Sequence, residues 1–261
     1  MEFRLQMIGT GSAFAKKYYN NNALLMNQDR SLLIDCGITA PMAMHQAGRT
    51  FQELDGILIT HLHADHIGGL EEAAFVTKFS GGRKLRLFVP ESLIAPLWEH
   101  SLKAGLEDSQ YGPDLSSYFD VVPLAEGEQQ ELLPGISVEI MQTDHIPNKD
   151  SFSLLLNRNF YYSADTVFHR ELITSMIEDK RCGAVLHDCQ LEGKPTVHAT
   201  LDELLTLPAH VQDKIMLMHY GDNMEDYANR SGNMSFVRQG VMYHIEQTGR
   251  IHALSVENSG S

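Results

Sequence analysis

Four side chains able to bind a metal stand within six residues, in the run His61-Leu62-His63-Ala64-Asp65-His66. Imidazole nitrogen and carboxylate oxygen are ligands that Zn²⁺ takes in hydrolytic sites. Residues two apart can point the same way in an extended turn, so His61 and His63 suit one ion. Asp65 and His66 open a helix and can turn to a second. Three further candidates each follow a strand-like run: His145 after Ile136–Thr143, Asp165 after residues 160–164, and His219 after residues 214–218. Taken singly, each is more often an ordinary loop residue, and an isolated histidine usually belongs to the surface. Their repetition at the ends of apolar strands, where loops present chemistry, makes a shared metal centre the better reading. Two ions roughly 3.5–4 Å apart would activate a water for hydrolysis.

The elements needed to position these residues can be read along the chain. Strands are expected at 3–8, Asn22–Asn27, 31–34, 56–60 (which feeds His61), 85–89, 119–123, 131–133, Ile136–Thr143, Ser151–Leu156, 160–164, 184–187 and 214–218, with a last one near 241–245. Helices are expected at 39–48 up to Gly48, at 70–79 up to Gly81-Gly82, and at 92–104, 169–180 and 201–207. Strands with intervening helices, repeated in the second half, predict an α/β fold with two sheets face to face and helices outside, a four-layer αββα sandwich. No Pro/Gly-rich linker divides the chain, so residues 1–261 are expected to form a single domain.

Composition narrows the partners. The formal charge of −14 opposes a long nucleic acid, whose binding depends on Lys and Arg neutralising phosphates. No segment approaches 18 uninterrupted apolar residues, so no membrane span is expected. The start lacks a secretory signal, and a cytoplasmic protein is expected. Cys36, Cys182 and Cys189 lack metal or redox spacing and suit buried, reduced thiols.

The ordered set His61, His63, Asp65, His66, His145, Asp165 and His219 resembles the five-motif pattern of the metallo-β-lactamase superfamily. The resemblance implies two zinc ions, with Mn²⁺ as an alternative. It places His61, His63 and His145 on one ion, Asp65, His66 and His219 on the other, and Asp165 between them. The opening Gly9-Thr10-Gly11-Ser12 resembles the corresponding loop of ribonuclease Z-type phosphodiesterases. His187-Asp188-Cys189 and Val197-His198-Ala199-Thr200 resemble that group's His-Glu-Ala and His-Ser-Thr motifs, with Asp188 standing for the usual Glu. This implies that His198, paired with Asp188, contacts the phosphate and donates a proton. Asp65, His198 and Asp188 are the expected catalytic set.

Ribonuclease Z carries a long basic arm between the third metal motif and the bridging Asp. Here the chain from His145 to Asp165 is filled by two strands. The chain also closely resembles the viral anti-Pycsar protein family. That resemblance implies hydrolysis of cyclic CMP and cyclic UMP, together with cyclic AMP and cyclic GMP, to linear nucleotides. It also implies loss of a bacterial antiviral signal, a homodimer, and action in the host cytoplasm for a viral member. The alternatives are tRNA 3′ processing, 2′,3′-cyclic phosphodiester or lactone hydrolysis, and a non-enzymatic nucleotide-sequestering protein. Tyr18, Tyr19, residues 20–22 and Tyr111 are candidates for touching base or ribose, and Asp222 for orienting a metal ligand.

Overall fold

A computed structural model describes residues 2–110 and 112–254. Fifteen strands succeed one another among them: β1 (Phe3–Gly9), β2 (Asn22–Asn27), β3 (Arg30–Ile34), β4 (Gly56–Leu58), β5 (Leu85–Pro90), β6 (Phe119–Leu124), β7 (Gln129–Leu133), β8 (Ile136–Thr143), β9 (Ser151–Leu156), β10 (Phe160–Tyr162), β11 (Ala184–Asp188), β12 (Ile215–Met218), β13 (Ser235–Phe236), β14 (Met242–Ile245) and β15 (Ile251–Ala253). They form an eight-stranded sheet ordered β15-β14-β1-β2-β3-β4-β5-β6 and a seven-stranded sheet ordered β13-β12-β11-β10-β9-β8-β7. Each sheet is antiparallel on one side and parallel on the other. The parallel parts are β3 to β6 and β10 to β13.

Parallel strands need cover on both faces and carry apolar runs instead of alternation. β4, β10 and β11 are buried at every residue, as is β9 beside them. β8 alternates and presents one face to the core. The sheets meet through their inner side chains, and Phe3 of β1 packs edge to face on Phe160 of β10 at 5.9 Å. Helix Ala40–Gln46 lies along β1, and Glu91–Leu97 along β5 and β6. Arg170–Glu178 packs with Ala209–Gln212. This is the expected four-layer metallo-β-lactamase sandwich.

Several boundaries differ from the sequence expectation. The helix over 70–79 is α-helical at Leu70–Phe75 and becomes a π-turn at Val76–Ser80. The helix over 92–104 divides into Glu91–Leu97, a π-turn at Trp98–Leu102, and Lys103–Leu106. Gly48, with φ of +67°, stops Ala40–Gln46 as expected. β14 is not the last strand, because β15 pairs with it through a tight return. The candidate Tyr111 and the terminal residues 255–261 lie outside the described residues.

Candidate active site

The chemistry-bearing residues sit where parallel strands end, the usual place for ligands in α/β sheets. Asp35 follows β3, His61 and His63 follow β4, Asp165 follows β10, Asp188 closes β11 and His219 follows β12. Three of these exits turn through left-handed backbone at non-glycine residues: Asp35 (φ 59°), Ala164 (φ 51°) and His219 (φ 57°). Such conformations cost on the order of 1–3 kcal/mol each and persist where packing enforces them. The short helix Ala64–Ile67 begins at His63 and carries Asp65 and His66 inward. The β3 exit holds it through Cys36 N–H to His66 O (2.7 Å) and Ile38 N–H to Ala64 O (3.0 Å). Gly37 permits that approach, because a Cβ there would stand 2.0 Å from the Asp65 carbonyl oxygen.

Three overlapping donor groups result, of which two are made up of the seven expected metal residues; the third is Asp165, Asp188, His198 and His219. The first comprises His61, His63, His145 and Asp165, and the second Asp65, His66, His219 and Asp165; within each, the donor atoms lie within 4.8 Å of one another. In the first, His63 Nδ1 is 3.0 Å from His61 Nε2 and 3.2 Å from His145 Nε2. Asp165 Oδ2 stands 3.7 and 3.8 Å from those Nε2 atoms. In the second, Asp65 Oδ2 is 3.3 Å from both His66 Nε2 and His219 Nε2, and Asp165 Oδ2 is 3.4 Å from each. Donors around tetrahedral zinc at its usual bond lengths stand about 3.3–3.4 Å apart. The second group matches that edge on four contacts. His66 Nε2 and Asp165 Oδ1 are buried with no hydrogen bond of their own, which a buried polar atom seldom is. Both groups are thus able to hold a metal.

Outer partners fix how the imidazoles point. His61 Nδ1 meets Thr60 Oγ1 (3.1 Å), His66 Nδ1 meets Asp35 Oδ2 (2.8 Å), and His145 Nδ1 meets Val197 O (2.7 Å). His219 Nδ1 faces Asp188 Oδ1 at 3.2 Å. Each thereby leaves Nε2 for the centre. The other Asp188 oxygen, Oδ2, takes His198 Nδ1 at 2.7 Å. Asp188 is fully buried, whereas the His198 side chain keeps 21% of its surface exposed.

Charge follows the same geometry. Burial, reinforced by His66, holds His61 well below the ordinary histidine range. Burial also lowers His63 and His145. Burial opposes charge on His66 as well, yet the Asp165 and Asp35 carboxylates outweigh it and hold His66 well above its usual value. The same competition, won by Asp165 and Asp188, takes His219 up to about 10. Burial would raise Asp165, but His219 and His66 keep it ionised far below the carboxylate range. Burial would lower His198; Asp188 outweighs it and raises the imidazole, as suits a proton donor.

Clefts open on both sides of the centre. One, of about 430 Å³, joins His63 and His145 to Ser92, His100 and Lys149. The other, of about 350 Å³, joins His198 and His219 to Phe14, Glu192 and Asn223.

The family model for the anti-Pycsar protein Apyc1 matches residues 3–243. The chain belongs to that family. A relative with the same description from Paenibacillus sp. (strain J14) is 51% identical over 245 residues, covering 94% of this chain and all of its own. Another, from Bacillus phage BSP38, is 44% identical over 253 residues, covering 92% and 97%. The family therefore occurs in a bacterium as well as in a phage. Among solved structures, a diphosphatase of the PhnP family superposes with a TM-score of 0.72 at 16% identity, over 92% of this chain and 96% of its own. That likeness bears on the fold.

Within this family frame, the seven expected metal residues and the pair His198–Asp188 converge on one centre. Other candidates have structural duties. Asn20 Oδ1 accepts from Thr39 N–H (3.1 Å), Asn21 Nδ2 donates to Tyr162 OH (2.8 Å), and Asn22 Oδ1 accepts from Gly37 N–H (3.1 Å). Tyr18 packs edge to face on Tyr220 at 5.2 Å. Tyr19 lines a separate depression with Gln46 and Gln239. Asp222 accepts the N–H groups of Lys16 (2.9 Å) and Lys17 (2.7 Å) and clasps the 12–18 loop instead of orienting a metal ligand. Asp35 was not singled out by sequence. Its only signal is an acid at the end of a buried strand followed closely by Gly37.

Proposed function

We infer that this protein is a metal-dependent phosphodiesterase that opens 3′,5′-cyclic mononucleotides to linear nucleotides. Cyclic CMP and cyclic UMP are the leading substrates, with cyclic AMP and cyclic GMP accepted, and the consequence is removal of a bacterial antiviral signal. The carrying observation is the Asp188–His198 contact of 2.7 Å beside two His/Asp groups that share Asp165. Membership of the anti-Pycsar family supports the substrate class.

His61, His63, His145 and Asp165 would hold one zinc, and Asp65, His66, His219 and Asp165 the other, with manganese as the alternative occupant. When bound, the ions supply a nucleophilic water and neutralise phosphate charge. The chain's residues supply the rest. Asp188 fixes the His198 Nδ1 proton and leaves Nε2 to face the phosphate and protonate the departing ribose oxygen, a general-acid step. The positive charge that Asp188 sustains on His198 also stabilises the equatorial phosphate oxygens as the ester bond breaks. Asp35, Thr60 and the Val197 carbonyl keep the histidine donors oriented.

No helix among the described residues is long and apolar enough to cross a membrane. The proposed setting is the cytoplasm, where such signals act, with a homodimer as the working form. Nothing extends between His145 and Asp165 beyond β9, β10 and their turns, which disfavours a tRNA-gripping arm.

The test is a panel of 3′,5′- and 2′,3′-cyclic nucleotides read by chromatography, with zinc-loaded protein beside a chelated control. Metal-dependent turnover of the 3′,5′ isomers is expected. Preference for 2′,3′ isomers or precursor tRNA would overturn the substrate assignment. Stoichiometric protection of a nucleotide without turnover would make the protein a sequestering one.

A further inference from the structure

We propose that Phe14 is the platform on which the substrate's base stacks, and that the cleft on the His198 side is the nucleoside subsite. This rests on the cyclic-nucleotide reading and adds to it where the base lies and how it is held.

A proton donor must stand beside the oxygen it protonates. In a cyclic mononucleotide that oxygen belongs to the ribose, which carries the base. Ribose and base therefore lie on the His198 side of the centre. The 350 Å³ cleft there is lined by His198, His219, Phe14, Leu191 and Asn223, and falls in the range of small-molecule sites. The opposite cleft, with Ser92, His100, Lys149 and Asp150, has no Phe, Tyr or Trp in its lining. Of these two clefts, and among the described residues, the His198 side is the one with a large aromatic face.

Phe14 is 88% exposed, the most exposed of the large apolar side chains among the described residues. Such a ring on an unrestrained loop would be unremarkable, but this loop is fastened. Ala15 N–H bonds Ser12 O (3.1 Å), and Ser12 N–H bonds Tyr220 O (3.0 Å). Asp222, three residues after His219, accepts from Lys16 and Lys17 at 2.9 and 2.7 Å. The turn bearing Phe14 is thereby tied to the strand exit that bears His219, so little ordering entropy is lost when a base docks. A phenyl face has no donor or acceptor. It stacks on every base and reads none, which gives one site a tolerance for both pyrimidine and purine cyclic nucleotides.

The test compares cyclic AMP and cyclic CMP with an abasic analogue, 1-O-methylribose 3′,5′-cyclic phosphate. The enzymes are the zinc-loaded wild type, Phe14→Ala and Phe14→Trp. In Phe14→Ala the kcat/KM advantage of the base-bearing substrates over the abasic one should fall on the order of ten-fold, chiefly through KM. Cyclic AMP should lose more than cyclic CMP, and Phe14→Trp should restore the advantage. An unchanged ratio in Phe14→Ala would overturn the proposal while leaving the phosphodiesterase reading intact. So would a fall accompanied by a change in oligomeric mass, which would place Phe14 in a subunit contact. Wild-type protein inert on all cyclic nucleotides would overturn both.

Discussion

Asp188 divides one carboxylate between two imidazoles, His219 at 3.2 Å and His198 at 2.7 Å. Under the proposed mechanism, His198→Ala removes the general acid and should lower kcat about 10²–10⁴-fold while the bound zinc, read by mass spectrometry of metals, stays near that of the wild type. Loss of zinc together with activity would reassign His198 to the donor set. Asp35 reaches the centre only through His66 and Thr60. Asp35→Asn should weaken zinc binding by about 10–100-fold in a chelator competition, and unaltered affinity would make Asp35 a packing residue. The cysteines predict an opposite, silent behaviour. Burial pushes the Cys182 thiol up to about 11 and holds Cys36 and Cys189 above the ordinary thiol range. The reactive thiolate is therefore scarce near neutrality, and at Cys182 would appear only as the pH rises towards 11. Iodoacetamide at pH 8 should label none of the three in the native protein and all three after unfolding, by intact mass.

The close approach of the β3 exit to helix Ala64–Ile67 depends on one missing side chain. Gly37→Ala would drive a methyl into the Asp65 carbonyl, displacing the helix that carries Asp65 and His66. A loss of roughly 1–3 kcal/mol, typical of overpacking, should appear in denaturant melts together with lowered zinc content. Native stability would show that the loop relaxes freely. The larger elements were legible in the sequence. Ile136–Thr143 and Ser151–Leu156 coincide with their expected bounds because period-two or continuous apolar patterning marks them at both ends. The two π-turns were not, since apolar spacing cannot distinguish an i+4 from an i+5 backbone register. Nor were Ser235–Phe236 and Ile251–Ala253, too short to show a period. Within the site, the donors were legible because His and Asp recur after strands. Asp35 and Phe14 were missed, since a lone acid or a lone exposed ring acquires meaning only from what folding brings beside it.

At the scale of the whole molecule, the first sheet contributes His61, His63, Asp65 and His66, and the second contributes His145, Asp165 and His219. An ion held in either group would bind both sheets of the sandwich at once and would stabilise the folded state by mass action. A chelated sample should therefore melt about 10 °C below a zinc-loaded one, by calorimetry; coincident melts would mean that the groups hold no metal tightly. The division of donors also has a consequence for birth order. A ribosome releases this chain from its N-terminal end, and domains fold as units while they emerge. His61 to His66 appear long before their partners, so the first donor group closes only when Asp165 has been added, and the second only with His219. A half-made chain offers no finished cage, so an ion taken up during synthesis would be selected by a shaped site and not by a string of histidines.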